Sequence, residues 1–178
     1  MSGRTTHEAG LHLVECAVLI LALGFLALFL FTPRITNHPG DPRLRCLHNL
    51  KHLGQLSMLY ADDTGGHYPF AAGGSAHDSQ NLLLEWDPEI DRGLFVCDHD
   101  STTITANDGA LLTPENTSYA WIGSATPTTA GSSVPLASDL PGNHERGRNV
   151  VYCGLRAEWV GNDELPASRL PEGLVGSR

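Results

Sequence analysis

The stretch Gly10-Leu11-His12-Leu13-Val14-Glu15-Cys16, continuing as Ala17-Val18-Leu19-Ile20-Leu21-Ala22-Leu23-Gly24-Phe25-Leu26-Ala27-Leu28-Phe29-Leu30-Phe31, decides how this chain is read. No residue from Cys16 to Phe31 is charged, and Leu and Ala dominate, which favours a helix. Counted from Leu11, the block holds 21 residues. At ~1.5 Å of rise per residue, a helix of that length crosses a hydrocarbon core of ~30 Å. A cleaved secretory signal would close on a small-x-small site, but this run closes on Phe29-Leu30-Phe31 and then Thr32-Pro33-Arg34. The expectation is therefore a membrane-spanning helix over 11–31.

Glu15 stands at the front of that block. A carboxylate at the centre of a membrane helix costs about 2.5–3.5 kcal/mol, which makes it a functional residue by default. At the interface the cost is small, because a helix N-terminus favours negative charge. Taken alone, Glu15 fits either position. Arg4 precedes the block, whereas Arg34, Arg43 and Arg45 follow it, so the positive-inside rule places the C-terminal side in the cytoplasm.

Beyond the block, Pro33 ends or kinks the first helix. Residues 32–41, with Pro33, Pro39 and Gly40, read as a hinge. Asp41-Pro42 is a good helix start, with Asp as N-cap and Pro in the first turn. A second helix is expected from Pro42 to about Asp62. Its Leu44, Leu47, Leu50, Leu53, Leu56 and Leu59 recur every third residue, a row that drifts around the helix. Asp62 to Gly66 then reads as a turn. Ser118-Tyr119-Ala120-Trp121-Ile122-Gly123 reads as a short strand.

The net charge is −9 with His neutral. An acidic surface repels phosphate backbones, so no nucleic-acid partner is expected. Arg43, Arg45 and Lys51 form the one basic cluster and read as a solvated helix face. Four cysteines are present, at 16, 46, 97 and 153, with no CxxC spacing. Zinc-ribbon, thioredoxin and c-type haem motifs are therefore unsupported. His48 and His52 lie four apart but have no evident third ligand. Cys97-Asp98-His99-Asp100 carries donors for a cation and equally suits a loop, and no EF-hand spacing is present. With no serine elbow, P-loop or convincing carboxylate pair, no catalytic residue, cofactor or metal is expected.

Gly10 to Glu15, set against the apolar run, resembles the prepilin signal of type IV pilins and type II secretion pseudopilins. The resemblance implies cleavage after Gly10 by a prepilin peptidase, methylation of the new N-terminal Leu11, and Glu15 as fifth mature residue. In that setting Glu15 would neutralise the α-amino group of a neighbouring subunit, since a buried charge is tolerable only when paired. Leu11 stands where Phe is usual, His12 where a small polar residue is common, and Glu8 makes the leader less basic.

Downstream, Cys46-Leu47-His48-Asn49-Leu50-Lys51-His52-Leu53-Gly54 and Tyr60-Ala61-Asp62-Asp63-Thr64-Gly65 resemble pilin-like proteins of planctomycetes. So does Val96-Cys97-Asp98, which stands for their Val-Cys-Pro-Ser-Asp segment. These proteins also carry a His, nine residues, an Asp-Gly hairpin and a strand ending in Glu-Trp. Here His144 is followed after nine residues by Gly154-Leu155, and then by Glu158-Trp159.

The resemblance implies an α+β pilin-like fold: a long N-terminal transmembrane helix, a second helix and a small antiparallel sheet. The expected organisation is a leader over 1–10, the spanning helix over 11–31, the hinge, a periplasmic domain over 42–165 and a flexible tail over 166–178. The protein would be a single-pass inner-membrane protein with its C-terminal domain in the periplasm. It would serve as a subunit or accessory of a type IV pilus or type II secretion pseudopilus, partnered by prepilin peptidase and sister subunits. The alternative is an anchored periplasmic sensor or binding module that does not polymerise. In an oxidising periplasm Cys46 and Cys97 could form a disulfide; Cys97 with Cys153, or three free thiols, are the alternatives.

Overall fold

The computed structural model describes residues 17–25, 41–165 and 169–176. The chain divides into two units, Met1–His38 and Pro39–Arg178. In the first, helix α1 covers 17–25 and its side chains are exposed. No helix among the described residues is long and apolar enough to cross a membrane. This corrects the expected fold, which rested on a long N-terminal transmembrane helix. The single-pass inner-membrane location, the periplasmic placement and the assignment as a type II secretion pseudopilin fall with it. Gly10, Leu11 and Glu15, and residues 32–40 of the expected hinge, lie outside the described residues.

The second unit starts with helix α2, Pro42–Thr64. Asp41 caps it by accepting the Arg43 N–H at 3.0 Å, and Pro42 presets the first turn. Gly65 ends it at φ 106°, and the Gly66 N–H returns to the Ala61 carbonyl at 2.6 Å. The buried face is Cys46, Leu50, Leu53, Gly54, Ser57 and Ala61. That is a stripe at helical spacing, not the drifting leucine row, and Leu44 and Leu59 are exposed. Helix α3, Ala76–Trp86, opens on a capping box between Ser75 and Asp78.

Five strands follow: β1 Tyr119–Ile122, β2 Pro135–Asp139, β3 Gly147–Tyr152, β4 Ala157–Gly161 and β5 Leu174–Val175. They form one antiparallel sheet in the order β4-β3-β2-β1-β5. Part of the expected tail therefore pairs with the sheet as β5. Helix α2 packs on β3 and β2, and α3 on β1. All four β1 residues are buried. The core is built around Trp121, Tyr119, Tyr68, Phe95, Leu50, Leu53, Leu83 and Leu136. Its polar tips are partnered, as burial demands. Trp121 Nε1 donates to the Pro69 carbonyl at 3.1 Å, and the Tyr68 hydroxyl to the Cys153 carbonyl at 2.6 Å.

The β3–β4 hairpin turns through Cys153-Gly154-Leu155, closed by the Leu155 N–H on the Tyr152 carbonyl at 2.8 Å. The left-handed residue of this turn is Leu155, at φ 58°, and not Gly154. The Leu155 side chain lies over Gly54 of α2: a Cβ added there would meet Leu155 Cδ2 at 3.0 Å and Val151 Cγ1 at 3.3 Å. Gly54 thus lets the helix sit close to the hairpin, at the expense of ~1 kcal/mol of helix propensity against Ala.

Two opposing effects can be separated by mutation. Gly54→Ala should destabilise the domain by about 1–2 kcal/mol despite Ala's better propensity, because the added methyl overpacks the contact. In Leu155→Gly, relief of about 1–2 kcal/mol of left-handed strain opposes the loss of packing. Denaturant unfolding of both single variants and the double should show non-additivity, with Gly54→Ala tolerated better when Leu155 is Gly. Strict additivity would show that the contact does not limit the helix–hairpin distance.

Candidate functional site

Asp139 is the last residue of β2, completely buried and opposite Tyr119 of β1. After it the chain turns through Leu140-Pro141-Gly142, with Gly142 at φ 93°. The Asn143 side chain fixes the loop by donating to the Ser118 carbonyl at 2.8 Å. The turn carries His144 back onto Asp139: His144 Nε2 lies 3.0 Å from Asp139 Oδ2, with the two side chains 2% and 0% exposed. The Asn149 N–H donates to the same Oδ2 at 2.7 Å. Asp139 Oδ1 and His144 Nδ1 are buried with no hydrogen-bond partner among the described residues.

The second half of the site comes from α2 and the loop after Phe95. Cys46 and Cys97 are joined as a disulfide, closing a sequence separation of 51 residues. Cys97 Sγ stands 3.6 Å from His144 Nε2. Asn49, one turn along α2, donates to the Val96 carbonyl at 3.1 Å, which holds the cysteine loop against the helix. Asn149 of β3 donates to the Arg43 carbonyl at 3.1 Å and fixes the first turn of α2. The sulfur of Cys46 and Cys97, a carboxylate oxygen of Asp139 and a ring nitrogen of His144 all lie within 4.8 Å of one another.

Above this cluster lies an open cleft of about 610 Å³, lined in part by Arg43, His99, His144, Arg146 and Trp159. The Trp159 ring meets His144 edge-on at 5.5 Å between centroids, and His99 approaches the other way at 4.8 Å. The Arg43 guanidinium sits over the Trp159 ring at 5.4 Å, and it also pairs with Asp41 at 2.6 Å. That pairing, mainly the side-chain hydrogen bond, holds Asp41 below the usual carboxylate range and raises Arg43.

The other residues singled out in the sequence fall elsewhere. His48 and His52 are exposed on α2, away from the cluster. In the Cys97–Asp100 stretch, Asp98 pairs with Arg45 at 2.8 Å. Asp100 accepts from the hydroxyls of Thr102 at 2.8 Å and Thr103 at 2.6 Å. The acidic pair is thus committed to loop structure. Cys153 is a buried free thiol, pushed up to about 11 by burial, and is not paired with Cys97. Asp139 was not singled out in the sequence. Its setting, Asp139-Leu140-Pro141-Gly142, reads as an ordinary turn, and only the β1–β2–β3 pairing brings it to the cysteines. Compared with family models, with curated proteins and with solved structures, the chain matches none of them.

Two stability effects follow from this geometry. Burial alone would raise the Asp100 carboxyl, but the Thr103 and Thr102 hydrogen bonds outweigh it and hold the group at about 2, below its ordinary 3.8. A depressed carboxyl stabilises the fold above its unfolded value, and that contribution is lost as pH falls. Asp100→Asn should therefore lower the thermal midpoint at neutral pH, with the gap from wild type closing between pH 3.8 and about 2. Separately, the 51-residue separation puts the disulfide's chain-entropy contribution at about 4 kcal/mol. Reduction should shift the denaturant midpoint by a corresponding amount, read by circular dichroism with and without a dithiol.

Proposed function

We propose that the chain is a structural subunit of a pilin-like fibre, with Pro39–Arg178 as its head and a role in assembly rather than catalysis. One observation carries this reading. The segments that resemble pilin-like proteins are scattered from Cys46 to Trp159, yet they meet at one place. Cys46 is bonded to Cys97, Cys97 touches His144, and His144 packs on Trp159. The segments that carry the resemblance thus form one packing unit, as this reading expects of a shared head domain. In this reading Gly10 is the processing site, Leu11 the mature N-terminus and Glu15 the partner of a neighbouring subunit's α-amino group.

A second reading, a binding module that does not polymerise, is favoured by the cleft of about 610 Å³, whose walls combine the Trp159 ring with the mixed charges of Asp41, Arg43, Glu145 and Arg146. The mature N-terminus separates the two. Mass spectrometry of the chain from its native cells should find a methylated Leu11, and an intact Met1 would overturn the fibre reading. Glu15→Ala should abolish recovery of the chain in sheared fibres while leaving its total amount unchanged. Undiminished fibre recovery would remove the pairing role of Glu15.

A further inference from the structure

Cys46, Cys97, Asp139 and His144 present two sulfurs, an imidazole and a carboxylate around one point, all buried, on four different segments. Such a set suits a borderline-soft divalent ion such as Zn²⁺, which takes four N, S and O ligands in a tetrahedron. The geometry points to a redox-gated metal site: closed as a disulfide in the oxidised chain, and a two-cysteine, one-histidine, one-aspartate Zn²⁺ site when the disulfide is reduced.

Three observations carry this. The first is distance. With Zn–S of about 2.3 Å and Zn–N of about 2.0–2.1 Å, the S–N edge of a tetrahedral site is about 3.6 Å. Cys97 Sγ and His144 Nε2 already stand 3.6 Å apart. The two sulfurs, once unbonded, need to separate only to an S–S edge of about 3.8 Å. The second is an unpartnered lone pair. Asp139 Oδ2 already serves the Asn149 N–H and His144, whereas Oδ1 is buried with no hydrogen-bond partner among the described residues. A buried carboxylate oxygen in that condition is costly unless something takes it up. The third is charge. Arg148 is buried, and the Asp139 charge acts on it. With the disulfide formed, Asp139 and Arg148 sum to zero. With two thiolates, Asp139, Arg148 and a divalent cation, the sum is again zero, so neither state buries a net charge.

The chemistry balances with a dithiol as reductant. Two successive exchanges transfer the dithiol's electrons to the Cys46–Cys97 bond, leaving two thiols here and a disulfide on the reductant. Metal binding then releases the two thiol protons to solvent and places the ion on both sulfurs, on His144 Nε2 and on Asp139. His144 lines the cleft and gives the ion its way in. Losing the disulfide removes about 4 kcal/mol, and structural Zn²⁺ binding supplies more than that. The ion can therefore replace the disulfide as the tie between α2 and the cysteine loop.

The test uses the full chain with Co²⁺ as a spectroscopic stand-in for Zn²⁺. After reduction with a non-chelating phosphine, one equivalent of Co²⁺ should produce the visible bands of a tetrahedral site and a near-ultraviolet thiolate-to-cobalt band. Zn²⁺ should displace it. The oxidised chain should show neither feature. His144→Ala should weaken binding at least about tenfold, and Cys46→Ser should lose charge-transfer intensity while Cys97 remains. A thermal melt covers the case in which reduction loosens the fold: Zn²⁺ should raise the midpoint of the reduced wild-type chain and not that of the oxidised chain. Three results would overturn the site: no thiolate band after reduction, equal binding by the oxidised chain, or no shift of the reduced melt with Zn²⁺.

Discussion

Cys46, Leu50, Leu53, Gly54, Ser57 and Ala61 form the side of α2 that meets the sheet, and four of the six are small. Small residues bring a helix axis close to its neighbour, and the closeness sets everything around it. Gly54 admits the tip of the β3–β4 hairpin, so that Leu155 and Val151 reach the helix surface. Ser57 returns its hydroxyl to the Leu53 carbonyl at 2.6 Å, hiding a polar group that would otherwise face the core unpaired. Cys46 reaches the loop beyond Phe95. A bulkier stripe would lift α2 off β3 and lose the Asn149 to Arg43 bond together with the disulfide.

From that docking the buried polar cluster follows. Asp139 has no aqueous exposure, and its Oδ2 is held by the Asn149 N–H and His144. Each of these partners is itself fixed by something else: Asn149 by the strand and by α2, His144 by the Gly142 turn, by Asn143 and by Trp159. Arg148 beside it feels the Asp139 charge, and a buried charge is tolerable when it is paired and hydrogen-bonded. The aromatic and cationic wall of Trp159 and Arg43 closes the cluster on the solvent side without sealing it.

Much of the architecture was legible in the sequence where local chemistry determined it. Asp41-Pro42 and Gly65 bracket α2 because capping is decided by adjacent residues. Tyr119 to Ile122 is a strand because of its aromatic and β-branched content. What was misread depended on distant partners. The leucine row, drifting around α2, marked no single face: only Leu50 and Leu53 of it join the buried stripe, which Cys46, Gly54, Ser57 and Ala61 complete. Helix α3 was overlooked although Ser75 and Asp78 spell a capping box. β5 is two residues long and exists only because β1 offers it an edge. The membrane-spanning helix was read from an apolar, Leu- and Ala-rich run, and no helix among the described residues is long and apolar enough to cross a membrane. Within the site, His144, Cys46 and Cys97 stood out by resemblance, but Asp139 had no local signal at all.

The bond between Cys46 and Cys97 turns the intervening backbone into a covalent ring. Inside that ring lie most of α2, all of α3 and the loop between them, where Gly73 takes a positive φ and Gly74 closes a turn onto Ala71. A protease that cuts once between residues 47 and 96 would therefore not divide the polypeptide. The two new ends would stay tethered through sulfur, and β1 to β5 would keep their link to the start of α2. The fold can thus lose a peptide bond in the connection between α2 and α3 and remain a single molecule.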